Sequence, residues 1–327
     1  MSSFLIIQTA FIGDVILATP LVENLRKSHP KARIDFLLRK GNEGLLKDHP
    51  HIDNLFIWDK KKGKYKTLFK LIRQLRKHKY DYVINVQRFA TSGFITLFTS
   101  GQRKIGFDKN PLSIFYYKKI THEIKAGIHE VDRNLKLIEK FSNIHERSPK
   151  LYPAEADFEK IKAYTEKQYI CMAPASVWFT KQLPREKWIE LINGLDNNFN
   201  IYFLGAPSDN DLVEQIISES QHTNTMNLCG ELNLLQSAAL MKGAAMNYVN
   251  DSAPLHLATS MQAPVTAFFC STIANFGFGP VNSNGRIGEV AKNMECRPCG
   301  LHGKKDCPQK HFKCGYDIDV AKYKLQL

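Results

Sequence analysis

The chain has 327 residues, 43% of them hydrophobic and 24% charged, with a formal net charge of +13. That length suits two domains with substantial cores, the composition is that of a soluble globular protein, and no apolar run approaches the roughly 18 residues of a transmembrane helix. The excess charge is uneven: residues 1–150 carry 29 Lys and Arg against 14 Asp and Glu, a balance of +15, while residues 151–327 come to −2. The first half therefore calls for an anionic partner, whether nucleic acid, an anionic lipid surface or an acidic substrate. The first residues lack the basic stretch and cleavage site of a signal peptide. Seven cysteines, an odd number, point to a reducing cytoplasm with free or metal-bound thiols.

Phe4-Leu5-Ile6-Ile7 reads as a buried strand. Phe11-Ile12-Gly13 turns the chain, and from Asp14 apolar residues at 15, 16, 17, 18, 21, 22 and 25 follow a helical period. A strand feeding a helix through one glycine places backbone N–H groups at the carboxyl edge of a sheet, where open α/β folds bind ligands. Asp14 is then either a carboxylate beside a ligand or simply a helix cap. The dinucleotide fingerprint G-x-G-x-x-G is absent.

Strands are expected at Arg33–Leu38, Asn54–Trp58 and Tyr82–Val86, and helices near 42–48, over Tyr65–Lys79 and over Glu130–Phe141. In the helix from Tyr65, Leu68, Leu71, Ile72 and Leu75 mark one face, while Lys66, Lys70, Arg73 and Lys77 make the other face basic. The hydrophobic pattern lapses between Ser142 and Lys167, with Ser148-Pro149 and Tyr152-Pro153 as breakers. We place the domain boundary there, giving domains 1–150 and 151–327.

The second half restarts with a strand at Tyr169–Met172 and a helix opened by Pro184. Strand and helix then alternate as Asn200–Leu204, Asp209–Ile217, Leu232–Lys242, Met246–Val249, Leu255–Ser260 and Val265–Phe269. The pattern is α/β, two Rossmann-like domains facing across a cleft. Asn250-Asp251-Ser252-Ala253-Pro254-Leu255-His256 delivers acceptor side chains and a serine cap to a helix start that could hold a phosphate. His256 either faces a ligand or satisfies a core hydrogen bond. Lys181, on a loop with Ser176 and Thr180, is a point cation suited to a diphosphate, or a solvated surface lysine.

These stretches together resemble the heptosyltransferases of glycosyltransferase family nine, which build the inner core of lipopolysaccharide. The resemblance runs nearly end to end. It rests on Gly13-Asp14 with Thr19-Pro20, Tyr82-Val83-Ile84-Asn85-Val86-Gln87, Ile105-Gly106-Phe107 and His129-Glu130-Val131 with Arg133-Asn134-Leu135. In the second half it rests on Ala173-Pro174-Ala175-Ser176 with Lys181 and Pro184, on Asn250-Asp251-Ser252 with His256-Leu257-Ala258, and on Cys296-Arg297-Pro298-Cys299, Cys307-Pro308 and Cys314.

The resemblance implies the GT-B fold, with acceptor held mostly by the N-terminal domain and nucleotide-sugar by the C-terminal one. It implies inverting transfer of heptose from ADP-heptose to a Kdo or heptose residue of the lipopolysaccharide inner core. Asp14 would be the general base, with Gly13, Thr19, Gln87 and Arg88 on the acceptor. Ser176, Thr180, Lys181, Asp251, Ser252, Ala253 and His256 would hold the donor. The expected partners are the nucleotide-sugar, an anionic Kdo/heptose–lipid A acceptor and the anionic inner membrane, at whose cytoplasmic face the enzyme would be peripheral. No nucleic acid is expected, because no helix-turn-helix, RNP or zinc-finger pattern accompanies the basic half.

No cofactor is firmly implied, and a divalent metal stays open. The tail spacing C-x2-C-x7-C-x6-C also admits structural zinc at Cys296, Cys299, Cys307 and Cys314, but its looseness favours reduced thiols or labile disulfides. Three departures from the family pattern stand out: Ala253 in place of a usual Gly, Leu183 in place of a common Trp, and the polar insertion Gly300–Asp306. Competing readings are a GT-B transferase or epimerase for another nucleotide-sugar, a sugar-binding relative without turnover, and a basic nucleic-acid-binding protein.

Overall fold

The computed structural model describes residues 2–325, apart from 62, 126, 282–283 and 292. The chain divides into two compact units, Met1–Tyr152 and Pro153–Leu327.

Unit 1 is a six-stranded, all-parallel sheet. In chain order its elements are β1 (Ser3–Ile7), α1 (Ile12–Ile16), α2 (Thr19–Ser28), β2 (Arg33–Arg39), β3 (Asn54–Trp58), α3 (Lys64–Leu75), β4 (Tyr80–Asn85), α4 (Ala90–Phe98), β5 (Gly101–Phe107), β6 (Lys118–Ile120) and α5 (Glu130–Leu135). The spatial order is β3-β2-β1-β4-β5-β6. Phe4 to Ile7 are fully buried, as a central parallel strand covered on both faces requires. On one face Leu5, Ile7, Leu37, Phe56 and Trp58 pack against Leu68, Leu71, Ile72 and Leu75 of α3. On another side of β1 the rings of Phe4, Tyr82 and Phe141 stack, with Tyr82 and Phe141 centroids 4.4 Å apart.

Unit 2 repeats the plan. Its elements are α6 (Glu155–Ile161), β7 (Tyr169–Ala173), α7 (Arg185–Ile192), β8 (Asn200–Phe203), α8 (Asn210–Glu219), β9 (Thr225–Asn227), α9 (Leu234–Gly243), β10 (Met246–Asn250), α10 (Ala253–Ser260), β11 (Val265–Phe268), β12 (Gly285–Gly288) and α11 (Lys313–Tyr316). The sheet order is β12-β11-β10-β7-β8-β9. Trp188 and Phe268 meet edge to face at 5.6 Å in its core. In both units the first and fourth strands are neighbours and the order reverses between them. That is the topological switch point, outside whose carboxyl edge open α/β sheets bind ligands.

Several expected elements differ in extent. The first helix is broken after Ile16 and restarts at Thr19, with Pro20 in its first turn. The helix expected near 42–48 is one 3-10 turn, Glu43–Leu45, and the one from Glu130 ends at Leu135. Within the span where hydrophobic patterning lapses, α6 forms and packs on α9. The last residues of unit 1 are fastened by polar contacts instead of an apolar stripe. Asn24 accepts from the backbones of His145 and Glu146 and donates to Glu146 O, and Tyr152 donates to Glu23 at 2.9 Å.

Candidate active site

In unit 1 the segments leaving β1 and β4 meet at the switch point, where Ile7 is in register with Asn85. Asp14 lies in the first turn of α1, three residues past the cap position, held by Phe11. Its Oδ2 accepts the Phe11 N–H at 3.1 Å. It is therefore not the N-cap residue, although its carboxylate still stabilises the helix start. Its pKa is pushed up from 3.8 to about 6, first by desolvation and second by the negative charge of Glu130. The Phe11 N–H and the Arg88 cation oppose that rise. Such a carboxylate changes protonation near neutral pH, as a general base requires.

Glu130 starts α5 and accepts from Arg133 Nε at 2.6 Å. Arg133 is only 2% exposed and also donates to Ile128 O at 2.6 Å. His122 Nε2 lies 4.0 Å from Glu130, and burial lowers the pKa of that imidazole. Asn134 donates to Leu17 O, which ties α5 to the turn between α1 and α2. Asp14, Arg88, His122, Glu130 and Arg133 thus form one electrostatic group. Sequence reasoning gives Glu130 and Arg133 no role and misses His122 altogether. Their signal is the i, i+3 Glu–Arg spacing at a helix start.

The other residues expected on an acceptor are distributed differently. Gly13 lies in α1 beside Asp14, and Arg88 is half-buried within electrostatic reach of it. Gln87 is buried, bonded through Nε2 to Gln8 Oε1 and through its N–H to Asn85 Oδ1. Thr19 is completely buried: its hydroxyl donates to Ile16 O at 2.8 Å and accepts from Lys150 N–H at 3.0 Å. It fastens the end of unit 1 to α2 and has no surface to offer a ligand.

In unit 2 the segments leaving β7 and β10 meet in the same way. Lys181 Nζ lies 2.8 Å from Asp251 Oδ2, and Thr272 Oγ1 donates to that same oxygen at 2.6 Å. Asp251 is 5% exposed and immediately precedes Ser252 at the cap of α10. A lysine is thus anchored by a carboxylate at a helix N-terminus. Ser252 occupies the cap position, but its hydroxyl contacts Asn250 O at 3.4 Å and makes no side-chain cap. Ala253 opens α10 without a positive φ, so the backbone there has no need of glycine. His256 lies on the buried side of α10, 5% exposed.

The loop from β7 is braced from behind. Asn250 accepts from Leu183 N–H at 2.9 Å and donates to Pro174 O at 2.6 Å. Gln182 donates to Ser176 O, leaving Ser176 half-buried on the loop. Thr180 is fully buried; its hydroxyl accepts from Ser271 Oγ and from Lys304 N–H, and its own N–H donates to Lys304 O. The polar insertion 300–306 is therefore a strap on this loop. Gly303, at φ +74°, lies so close to Lys181 that an added Cβ would come within 2.8 Å of Lys181 Cγ. Leu183, 2% exposed, belongs to the apolar core of unit 2.

Asn250→Ala should leave the buried Leu183 N–H and Pro174 O without partners, at about 1–3 kcal/mol each. A lower Tm is the expected outcome of thermal denaturation.

The seven cysteines are free thiols. Burial pushes Cys314 up to about 11, with Cys299, Cys307 and Cys296 adding to the rise. Among the described residues no group of three or more His, Cys, Asp or Glu is arranged to hold a metal ion.

The profile of glycosyltransferase family 9 (heptosyltransferase) matches residues 68–310, well over half of the chain. The chain belongs to that family. Lipopolysaccharide heptosyltransferase 3 of Escherichia coli is 26% identical over 278 residues, covering 80% of this chain and 82% of that one. The structure of E. coli ADP-heptose lps heptosyltransferase II superposes with a TM-score of 0.77 at 18% identity, covering 99% of both chains. E. coli heptosyltransferase WaaC with ADP gives 0.73 at 20% identity, over 87% of this chain and 92% of that one. As a family 9 glycosyltransferase the chain has the GT-B fold, two parallel six-stranded sheets with their helices.

Proposed function

We propose that this glycosyltransferase transfers heptose from ADP-heptose to a Kdo or heptose residue of the lipopolysaccharide inner core, with inversion at the anomeric carbon. Unit 2 holds the donor and unit 1 the acceptor. The observation that carries the reading is the placement of the Asp14 carboxylate in the first turn of α1, at the switch point of the basic unit, where desolvation and Glu130 raise its pKa to about 6. Inverting displacement asks for a base that takes the acceptor proton as the new bond forms. Asp14 takes that proton, the acceptor oxygen attacks the anomeric carbon, and the bond to the diphosphate oxygen breaks.

The departing diphosphate gathers negative charge, which a preorganised cation stabilises. Lys181 and the N-terminus of α10 supply that potential. The choice of donor is supported by the ADP carried by a solved structure of the same fold. The choice of acceptor is supported by the names of relatives that align over about four fifths of both chains. Kdo and lipid A phosphates are anionic, which suits a unit with an excess of +15. The acceptor is lipid-borne, so we infer that the enzyme works peripherally at the cytoplasmic face of the inner membrane. No helix among the described residues is long and apolar enough to cross it.

Incubation with ADP-heptose and either Kdo–lipid A or heptosyl–Kdo–lipid A should add the mass of one heptose to one of the two acceptors. Transfer to neither, with turnover of another nucleotide-sugar, would overturn the reading and favour the broader GT-B alternative.

A further inference from the structure

On unit 1, α3 and α4 lie side by side on one face of the sheet, and their outer surface combines aromatic rings with positive charge. Phe69 of α3 is 62% exposed and Phe98 of α4 is 48% exposed. Phe94 joins them: its ring centre lies 6.5 Å from that of Phe69, edge to face, and 4.3 Å from that of Phe98. The three rings form one continuous ridge that extends the buried stripe of Leu68, Leu71 and Ile72 out into solvent. A contiguous apolar ridge of this kind marks an interaction surface.

The charge around the ridge selects the partner. Lys66, Lys70 and Arg73 of α3 are exposed, and Arg76 and Lys77 follow directly. Neither Lys64–Leu75 nor Ala90–Phe98 contains a single acid. A second copy of this chain docking face to face would bring two basic rims together, which like-charge repulsion opposes. Aromatic rings rimmed by lysine and arginine match an anionic bilayer, where rings settle at the headgroup level and cations meet phosphates.

We propose that the outer face of α3 and α4 docks on an anionic lipid bilayer, with Phe69, Phe94 and Phe98 entering the interface and Lys66, Lys70, Arg73 and Lys77 contacting the lipid phosphates. This docking face deepens the peripheral location proposed above and rests on it. The ridge adds a component that salt does not screen, whereas the cations alone would give binding that vanishes at high ionic strength.

The test uses the full chain and extruded vesicles of phosphatidylcholine alone or with about 30% phosphatidylglycerol, whose charge attracts basic segments. Sedimentation should show binding to the anionic vesicles, part of it surviving about 0.5 M salt, where the Debye length shrinks to a few ångströms. Lys66→Gln/Lys70→Gln/Arg73→Gln should lose about fivefold in low-salt partition for each charge removed. Phe69→Ser/Phe94→Ser/Phe98→Ser should lose about tenfold for each ring withdrawn and abolish the salt-resistant part.

Phe69→Trp alone, at an exposed position, reports insertion without risk to the fold. The fluorescence of the introduced indole should shift to the blue on anionic vesicles and be quenched by brominated acyl chains. Triple-serine binding equal to wild type, or an indole signal blind to brominated lipid in the Phe69→Trp variant, would overturn the proposal. So would a stable dimer by light scattering that the serine variant dissociates without any effect on vesicles. Transfer to a delipidated, soluble acceptor should be the same in wild type and serine variant. Normal transfer without vesicle binding therefore rejects the docking face and leaves the heptosyl reaction standing, while absence of transfer with vesicle binding does the reverse.

Discussion

Asp14→Asn is expected to fold, to bind donor and to lose about 10²–10⁴ in kcat, the range that general-base catalysis contributes. The geometry allows a clean substitution. An asparagine Oδ1 can accept the Phe11 N–H that Asp14 Oδ2 now accepts at 3.1 Å, so the start of α1 keeps its bond. What disappears is the ability to take a proton. The wild-type rate should rise with pH through about 6, because only the deprotonated carboxylate acts as base.

Stability should move in the opposite sense. A carboxyl whose folded-state pKa is raised from 3.8 to about 6 favours the fold while protonated, and that contribution is lost as pH rises across this interval. The Asp14→Asn variant should therefore match wild type below about pH 4 and be at least as stable at neutral pH. Melting curves and kcat measured on the same variant separate the two roles. An Asp14→Asn enzyme that folds, binds donor and retains more than about a tenth of wild-type kcat would make Asp14 a helix-start residue and nothing more.

The sequence exposes those parts of this protein whose physical cause is local. The run Phe4–Ile7 is apolar because β1 is central and covered on both faces, and α3 announces itself through Leu68, Leu71, Ile72 and Leu75. By contrast β5 begins Gly101-Gln102-Arg103-Lys104, with its first residues at the surface, and only its end at Ile105–Phe107 is buried. The edge strands β6, β9 and β12 are only three or four residues long and mix half-buried with exposed positions, so no run long enough to read as a strand develops. After Ala90, α4 begins with Thr91-Ser92-Gly93, which are weak helix formers. Gly93 is there because a Cβ would run into Asn110 and Leu112, a tertiary reason that no window of sequence contains. The site divides along the same line. Asp14 and Lys181 stand out as chemistry-bearing residues beside strand ends. The pairing of Lys181 with Asp251, far along the chain, and the strap that Gly303 and Lys304 lay on the same loop depend on the finished fold.

That pairing shapes what loss of Lys181 should do. Lys181→Ala removes the cation proposed for the departing diphosphate, and by analogy with a lost oxyanion donor kcat should fall about 10²–10³. The affinity for ADP should fall with it. The same change also strips Asp251, whose side chain is 7% exposed, of its counter-ion and leaves it only the Thr272 hydroxyl. Breaking a buried pair from one side costs about 3–5 kcal/mol, so the single variant should melt early for reasons unrelated to catalysis. Lys181→Ala/Asp251→Asn removes both charges and should regain most of the lost Tm, because Thr272 can still donate to the amide oxygen. Its kcat and its calorimetric affinity for ADP should stay low. If the double variant recovered rate and nucleotide binding along with its Tm, Lys181 would be a structural counter-ion of Asp251 and the diphosphate would have to be held elsewhere. If it recovers stability alone, the lysine acts on the leaving group, with Asp251 aiming the ammonium and the Gly303 strap backing its alkyl stem.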